Sequence, residues 1–362
     1  MVVGIDGRAL QSARGVWRYL APTLGALAAA LPDDELRILA PGTAPLTGVP
    51  VAANVTLVRP PGASRRFYAR SALLRRPRID RCLGDPDVFW LPANHPCAIS
   101  ADVPLVLTIH DLSFDRRPQD FTRSERLNHR ITNARAQARR ADRILVTTAA
   151  VRDEVVAAYG VDAGRIDIVA PGISRPGQPE TAAAIAAARA RHGLPERYVL
   201  QVGALEPRKQ PDVLARAATR AGIAAVFAGA GRLAPDLAGP GIHILGHVSD
   251  EDLDLLYAGA LLLAYPSLLE GYGFPPQEAA LRGTASVVSD LPVLREVLGD
   301  GARFVPPGDE DALTAALSDL AGNAVARDEL VTNAQARVAP RTWTAAGEGV
   351  AATIRRAAQA RA

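Results

Sequence analysis

The chain's single lysine stands in Gly203-Ala-Leu-Glu-Pro-Arg208-Lys209, beside an arginine and six residues after a glycine. A guanidinium is a planar fork that grips two oxygens, whereas an ammonium is a compact point charge with three donors. Side by side, with a glycine admitting close backbone approach, the two suit a diphosphate. Lysine and arginine together number 41, so 40 are arginine (41 minus 1). Lys209 is then either a place where the fork does not fit or a chance survivor of the bias. The plain alternative for the pair is a solvated position at a helix start. Cations there oppose the helix dipole, and a bound anion relieves that conflict.

A second constellation runs Pro266-Ser-Leu-Leu-Glu270-Gly271-Tyr272-Gly273-Phe274-Pro275-Pro276-Gln277-Glu278. Gly271 and Gly273 let backbone amides face a ligand, and the prolines suit the first turn of a helix whose positive end attracts phosphate. Glu270 falls in the loop and Glu278 one to two turns into the helix. Two carboxylates eight positions apart reach hydroxyls at different points of one ligand, such as a sugar and a ribose. Taken singly, Glu278 is a helix-start carboxylate and the glycines are an ordinary turn. Together, in one loop opposite Arg208 and Lys209, they point to a site.

Positioning these loops requires strands that end beside them. Short apolar runs at Val2–Ile5, Arg37–Ala40, Val55–Val58, Val88–Leu91, Leu105–Ile109, Arg143–Thr147 and Ile166–Ala170 alternate with helical patterns, including one over Val16–Ala30. After a Pro/Gly-bearing linker and an Ala-rich helix between Ile173 and Pro195, a second alternation follows. Its strands are Tyr198–Val202, Ala224–Phe227, Ile242–Leu245, Leu261–Ala264, Ala285–Val288 and Phe304–Val305. Strands apolar on both faces and separated by helices predict doubly wound parallel sheets. The expected fold is α/β, with two Rossmann-like units facing across a cleft: 1–172, 173–344, and a final helix over 345–362 that crosses back to the first. Ligands in such sheets bind beyond the carboxyl ends of the strands, where both constellations fall.

Composition removes several classes. With 362 residues, 48% hydrophobic and 22% charged, the chain suits two globular domains and is neither disordered nor collagen-like. The apolar runs fall short of a membrane span, and Met1-Val-Val-Gly-Ile-Asp6 does not read as a signal peptide, so the expected location is the cytoplasm. Cys82 and Cys97 are too few for a disulfide framework and lack metal-ligand spacing; reduced, buried thiols are expected. The acidic runs Asp250-Glu-Asp252 and Asp309-Glu-Asp311 read as helix caps or first-turn acids, so no essential metal is expected. A net charge of +3 is far from that of a nucleic-acid binder. One local concentration stands out: Arg65, Arg66, Arg70, Arg75, Arg76, Arg78 and Arg81, interleaved with Phe67, Tyr68, Leu73 and Leu74. It is either a solvated helix face or a peripheral contact with an anionic membrane on the inner face of the cell.

The pairing of Gly203–Lys209 with Glu270–Glu278 resembles the signature of retaining glycosyltransferase family 4, the glycogen-synthase-like group with the GT-B fold and an E-x7-E motif. Gly4-Ile-Asp-Gly-Arg8, Gly15-Val-Trp-Arg18-Tyr19, His110-Asp111-Leu-Ser-Phe114, Pro171-Gly172-Ile173, Gly246-His-Val-Ser-Asp250 and Ser289-Asp-Leu-Pro292 look like the same family. The resemblance implies a retaining, metal-independent hexosyltransferase, in the first guess a mannosyltransferase of polysaccharide biosynthesis. Its donor would be a nucleoside diphosphate sugar and its acceptor a glycan or lipid-linked saccharide, with no cofactor. Arg208 and Lys209 would hold the diphosphate, and Gly203 would allow its close approach. Glu270 and the backbone of Gly271, Tyr272, Gly273 and Phe274 would meet the transferred sugar, and Glu278 the ribose. His110 would stand beside the donor sugar, and the Gly15 loop would face the diphosphate. Trp17 departs from the family pattern, which has a second glycine there. Two other readings share the features: a nucleotide-sugar epimerase of the same fold and a non-catalytic nucleotide-sugar binder. Gly229-Ala-Gly231-Arg232 is too short a match to support a dinucleotide oxidoreductase.

Overall fold

Each predicted apolar run becomes a strand in the computed structural model, which describes residues 1–11, 15–175 and 180–360. The first seven are β1 (Val2–Asp6), β2 (Glu35–Leu39), β3 (Val55–Val58), β4 (Val88–Leu91), β5 (Leu105–Ile109), β6 (Arg143–Val146) and β7 (Ile166–Ile168). They form one sheet of order β3-β2-β1-β4-β5-β6-β7, parallel throughout. The remainder are β8 (Tyr198–Val202), β9 (Ala224–Ala228), β10 (Ile242–Gly246), β11 (Leu262–Tyr265), β12 (Ser286–Ser289) and β13 (Arg303–Val305). These make a second parallel sheet of order β10-β9-β8-β11-β12-β13. The sheets belong to two units, Met1–Gly172 with Arg341–Ala362, and Ile173–Pro340.

The second sheet shows why its strands read as continuous apolar runs. Val199, Ala225, Phe227, Leu262 and Ala264 pack into one core, while Leu200, Val226, Ala228 and Leu263 pack into another. Successive side chains go to opposite faces, and helices cover both, so neither position of the period-two repeat is polar. In each sheet the strand order reverses once, between β1 and β4 and between β8 and β11. Loops leaving the carboxyl ends of such a strand pair diverge and open a crevice within the unit.

The first unit's core joins the two ends of its sequence. The helix Trp17–Ala30 buries Leu20, Leu24 and Leu27 in the same cluster as Val350, Ala351, Ile354 and Ala357 from the helix Trp343–Gln359. That last helix starts two residues earlier than its Ala/Arg pattern suggests, because the Thr342 hydroxyl caps it by accepting from the Ala345 amide at 3.2 Å. Gly347 lets the two helices meet: a Cβ there would stand 2.5 Å from the Ala26 Cβ and 2.6 Å from its carbonyl carbon. Both cysteines are free, and they are half-buried rather than buried. The two acidic runs lie at helix starts, with Ser249 capping Asp250–Gly259 and Asp309 capping Glu310–Gly322. Among the described residues no helix is long and apolar enough to cross a membrane.

Candidate functional site

The loops after β8 and β11 face one another across the crevice of the second unit. After β8 the backbone passes Gly203, whose φ of +125° suits glycine alone, and a short turn, Pro207–Lys209, that precedes the helix Pro211–Arg220. Gln201, a buried amide in an otherwise apolar strand, donates from Nε2 to the Lys209 carbonyl at 2.7 Å and so pins the turn against its own strand. The turn is also tied to the opposite loop, where the Leu268 amide donates to the Arg208 carbonyl at 2.8 Å.

This backbone frame buries Lys209, which is only 8% exposed. Its Nζ donates to the Tyr265 hydroxyl at 2.6 Å and to Glu270 Oε1. Arg208 Nη1 stands 3.8 Å from the same carboxylate oxygen and 3.4 Å from the Leu269 carbonyl. Arg208, Lys209 and Glu270 are therefore brought together, at the strand ends where the order reverses. Burial, followed by the charge of Glu270, pushes the Tyr265 hydroxyl well above its ordinary value, so Tyr265 is a neutral partner to the ammonium. Several buried polar atoms in the same region have no hydrogen-bond partner among the described residues: Gln201 Oε1, Gln210 Oε1, Ser267 Oγ and Ser289 Oγ. Desolvated groups of this kind are expensive to leave unpaired, and they cluster at the carboxyl ends of β8, β11 and β12.

Gly273 begins the helix Phe274–Leu281 with a φ of +78°. Pro275 and Pro276 sit in its first turn, where a missing amide hydrogen costs nothing. Gln277, fully buried, donates from Nε2 to the Gly273 carbonyl at 2.9 Å and holds this corner. Tyr272 is buried edge-on against Phe274, with ring centroids 5.0 Å apart. Glu278 follows on the same helix; its Oε2 accepts from the Tyr257 hydroxyl at 2.7 Å. The two glutamates thus have different supports, a lysine for Glu270 and a tyrosine for Glu278. Behind Gly203, Gly229 passes so close that a Cβ would lie 1.9 Å from the Gly203 carbonyl oxygen, and Arg232 Nε donates to Glu206 at 2.8 Å.

His110 and Gly15 belong to the first unit. His110 directly follows β5, and its Nε2 lies 2.9 Å from the Pro92 carbonyl oxygen. A carbonyl only accepts, so Nε2 carries the proton and Nδ1 is left as an acceptor. Burial pushes this imidazole below its usual value, against the opposing pull of Pro92 and Asp111, and it is neutral at pH 7. Gly15 is exposed, with φ +56°. The Trp17 indole donates from Nε1 to the Thr47 carbonyl at 2.9 Å, so it is an anchor for the Thr47-Gly48 segment.

Sequence reasoning missed the tyrosines: Tyr265 and Tyr257 look like core residues of an apolar strand and helix. It also missed a cluster at the first sheet's reversal. Asp6, at the end of β1, accepts from the Tyr68 hydroxyl at 2.7 Å and from Arg8 Nε at 2.8 Å, and the Arg8 guanidinium lies 3.6 Å from the Tyr68 ring centroid. Nearby, burial and then the Arg8 charge lower the His95 imidazole to about 4, while burial pushes the Cys97 thiol up to about 12. The usable signal was a charged pair, Asp6 and Arg8, directly after the first apolar run.

Residues 185–337 match the family model of glycosyl transferases group 1, and residues 13–175 match that of glycosyltransferase family 4. One match falls in each unit, and the chain belongs to these glycosyltransferases. It is similar to the O-antigen chain mannosyltransferase RfbU of Salmonella typhimurium, 43% identical over 79 residues that cover 22% of each chain. It is also similar to D-inositol 3-phosphate glycosyltransferase of Mycobacterium tuberculosis, 36% identical over 177 residues, covering 42% of this chain and 35% of the relative. The chain thus matches only 22% to 35% of the length of these curated relatives. Among solved structures, Anabaena HepE in complex with UDP and glucose superposes with a TM-score of 0.70 at 17% identity, covering 98% of this chain and 100% of that one. The likeness is one of fold, the GT-B fold of two Rossmann-like units.

Proposed function

We propose that the chain is a retaining, metal-independent hexosyltransferase that uses a nucleoside diphosphate sugar and delivers the sugar to a glycan or a lipid-linked saccharide. The observation that carries the reading is a buried ammonium, Lys209, next to Arg208 at the strand ends where the sheet order reverses. In the proposed step the bond from the sugar's anomeric carbon to the diphosphate breaks. A new bond to the acceptor oxygen forms on the same face, and the acceptor's hydroxyl proton leaves with the diphosphate. Lys209 and Arg208 stabilise the charge gathering on the leaving group, a contribution of about 3 kcal/mol for a well-placed donor. Glu270, with one oxygen committed to Lys209, orients sugar hydroxyls through the other, and Glu278 holds the ribose.

The names of the relatives suggest the donors to try first: GDP-mannose, after RfbU, and UDP-glucose, after the HepE complex. A panel of nucleotide sugars is incubated with the wild type and with Lys209→Ala, reading nucleoside diphosphate release and equilibrium binding together. Release from one donor that is lost in the variant supports the transferase and identifies the donor. Isomerised donor without any acceptor would replace it with an epimerase, and tight binding without release would replace it with a binding protein. Chelation with EDTA is expected to leave the rate unchanged; a rate that collapses and returns with a divalent cation would overturn the metal-independent mechanism.

A further inference from the structure

Two helices of the first unit keep almost nothing inside. The helix Ser64–Leu74 buries only Tyr68 and Ser71, and the helix Arg123–Thr132 buries only Thr132. Four of the ten large hydrophobic side chains exposed among the described residues lie on these two helices: Leu73 at 66%, Leu74 at 66%, Leu127 at 58% and Ile131 at 40%. The helices are neighbours: Ala72 and Arg75 border the same cavity, of about 470 Å³, as Arg130, Ile131 and Thr132.

The charges around these side chains are of one sign and uncommitted. Elsewhere arginines are held by carboxylates or carbonyls, as Arg143 is by Asp167 and Arg140 by Asp142 and Val103. Among the described residues no hydrogen bond or ion pair holds the side chains of Arg66, Arg70, Arg75, Arg123, Arg126 or Arg130. The first helix has no acidic residue, and the one carboxylate on the second, Glu125, is consumed by the Thr122 amide and hydroxyl. Four exposed aliphatic side chains among free guanidinium groups are a poor solvated face and a good interfacial one. The aliphatic side chains enter the acyl boundary while the arginines meet anionic headgroups.

We propose that the helices Ser64–Leu74 and Arg123–Thr132 together form the surface by which this protein docks peripherally on an anionic lipid bilayer. A second copy does not fit the surface, since a twofold contact would set arginine against arginine. A single-stranded nucleic acid fits poorly, because bases stack on aromatic rings and the exposed apolar side chains here are aliphatic. Docking does not depend on the sugar-transfer reading. If that reading holds as well, the surface brings a lipid-linked acceptor to the enzyme.

The test is co-sedimentation of the full chain with phosphatidylcholine vesicles, with and without phosphatidylglycerol, at low and high salt. The expected result is binding only to vesicles containing phosphatidylglycerol and release by salt. Each arginine replaced, in Arg70→Gln with Arg75→Gln or in Arg126→Gln with Arg130→Gln, weakens partition about fivefold. Leu127→Ser with Ile131→Ser weakens it as well, at unchanged salt sensitivity. All these positions are exposed, so circular dichroism should show an intact fold. Equal binding to neutral vesicles, or wild-type binding by the variants of either helix, would overturn the two-helix surface. Binding to heparin but not to the vesicles would assign it to a soluble polyanion instead.

Discussion

Lys209 illustrates how a charge and a shape requirement combine at one residue. Its ammonium is wedged between the Tyr265 hydroxyl and Glu270, and a guanidinium is both longer and wider. Both Lys209→Ala and Lys209→Arg are expected to lower kcat/KM for the donor by roughly 100-fold or more, read as nucleoside diphosphate release. A rate near wild type in Lys209→Arg would mean that only the charge matters. Truncation also leaves Glu270 buried without its cation, at a cost of about 3 kcal/mol in a denaturant titration. Lys209→Met combined with Glu270→Gln should recover most of that stability and none of the turnover. A second prediction concerns acid. An unfolded imidazole protonates near 6.5, and His95 in the fold only near 4. Between those values the unfolded chain binds more protons, so stability falls as pH drops through that window and levels off below it. Urea midpoints measured across the window should slope less in His95→Gln than in the wild type. Lys209 was legible because the composition isolated it, and Glu270 and Glu278 because a glycine-rich loop and two prolines framed them. Tyr265 and Tyr257 were not, since a tyrosine whose ring packs in a core and whose hydroxyl meets a charge looks, in sequence, like any other core residue.

At the scale of elements, the strands were legible because burial on both faces leaves unbroken apolar runs. Their ends moved by one or two residues: Leu261–Ala264 became Leu262–Tyr265, and Arg37–Ala40 became Glu35–Leu39. Hydrogen bonding across the sheet sets those ends, and apolar patterning does not record it. The shift at β11 matters, since it places the Tyr265 hydroxyl at the strand's mouth. The second docking helix was illegible for a different reason. Its leucine and isoleucine at 127 and 131 are spaced as a buried stripe would be, and only the structure shows that they are exposed. Close helix contacts are equally hidden in sequence. Gly347→Ala would push a methyl group into the Ala26 backbone, and overpacking of this kind costs about 1–3 kcal/mol. A melting temperature unchanged in Gly347→Ala would show that the two helices can separate freely.

For the whole molecule, the second unit is an insertion in the first. Its own clusters of buried side chains lie within Ile173–Pro340, whereas the first unit's core is completed by side chains from Trp343–Gln359. A chain ending at Pro340 should therefore keep a protease-resistant second unit and lose the first to digestion and dye binding. Equal resistance of both units would show that the last helix is dispensable. The arrangement also sets a clock during synthesis. The stretch from Ile173 to Pro340 must leave the ribosome before the last helix exists, a wait of roughly 10–30 s at ordinary elongation rates. Throughout it, Leu20, Leu24 and Leu27 lack their cover, so the half of the protein made first is the last to mature and the natural client for a chaperone on the nascent chain.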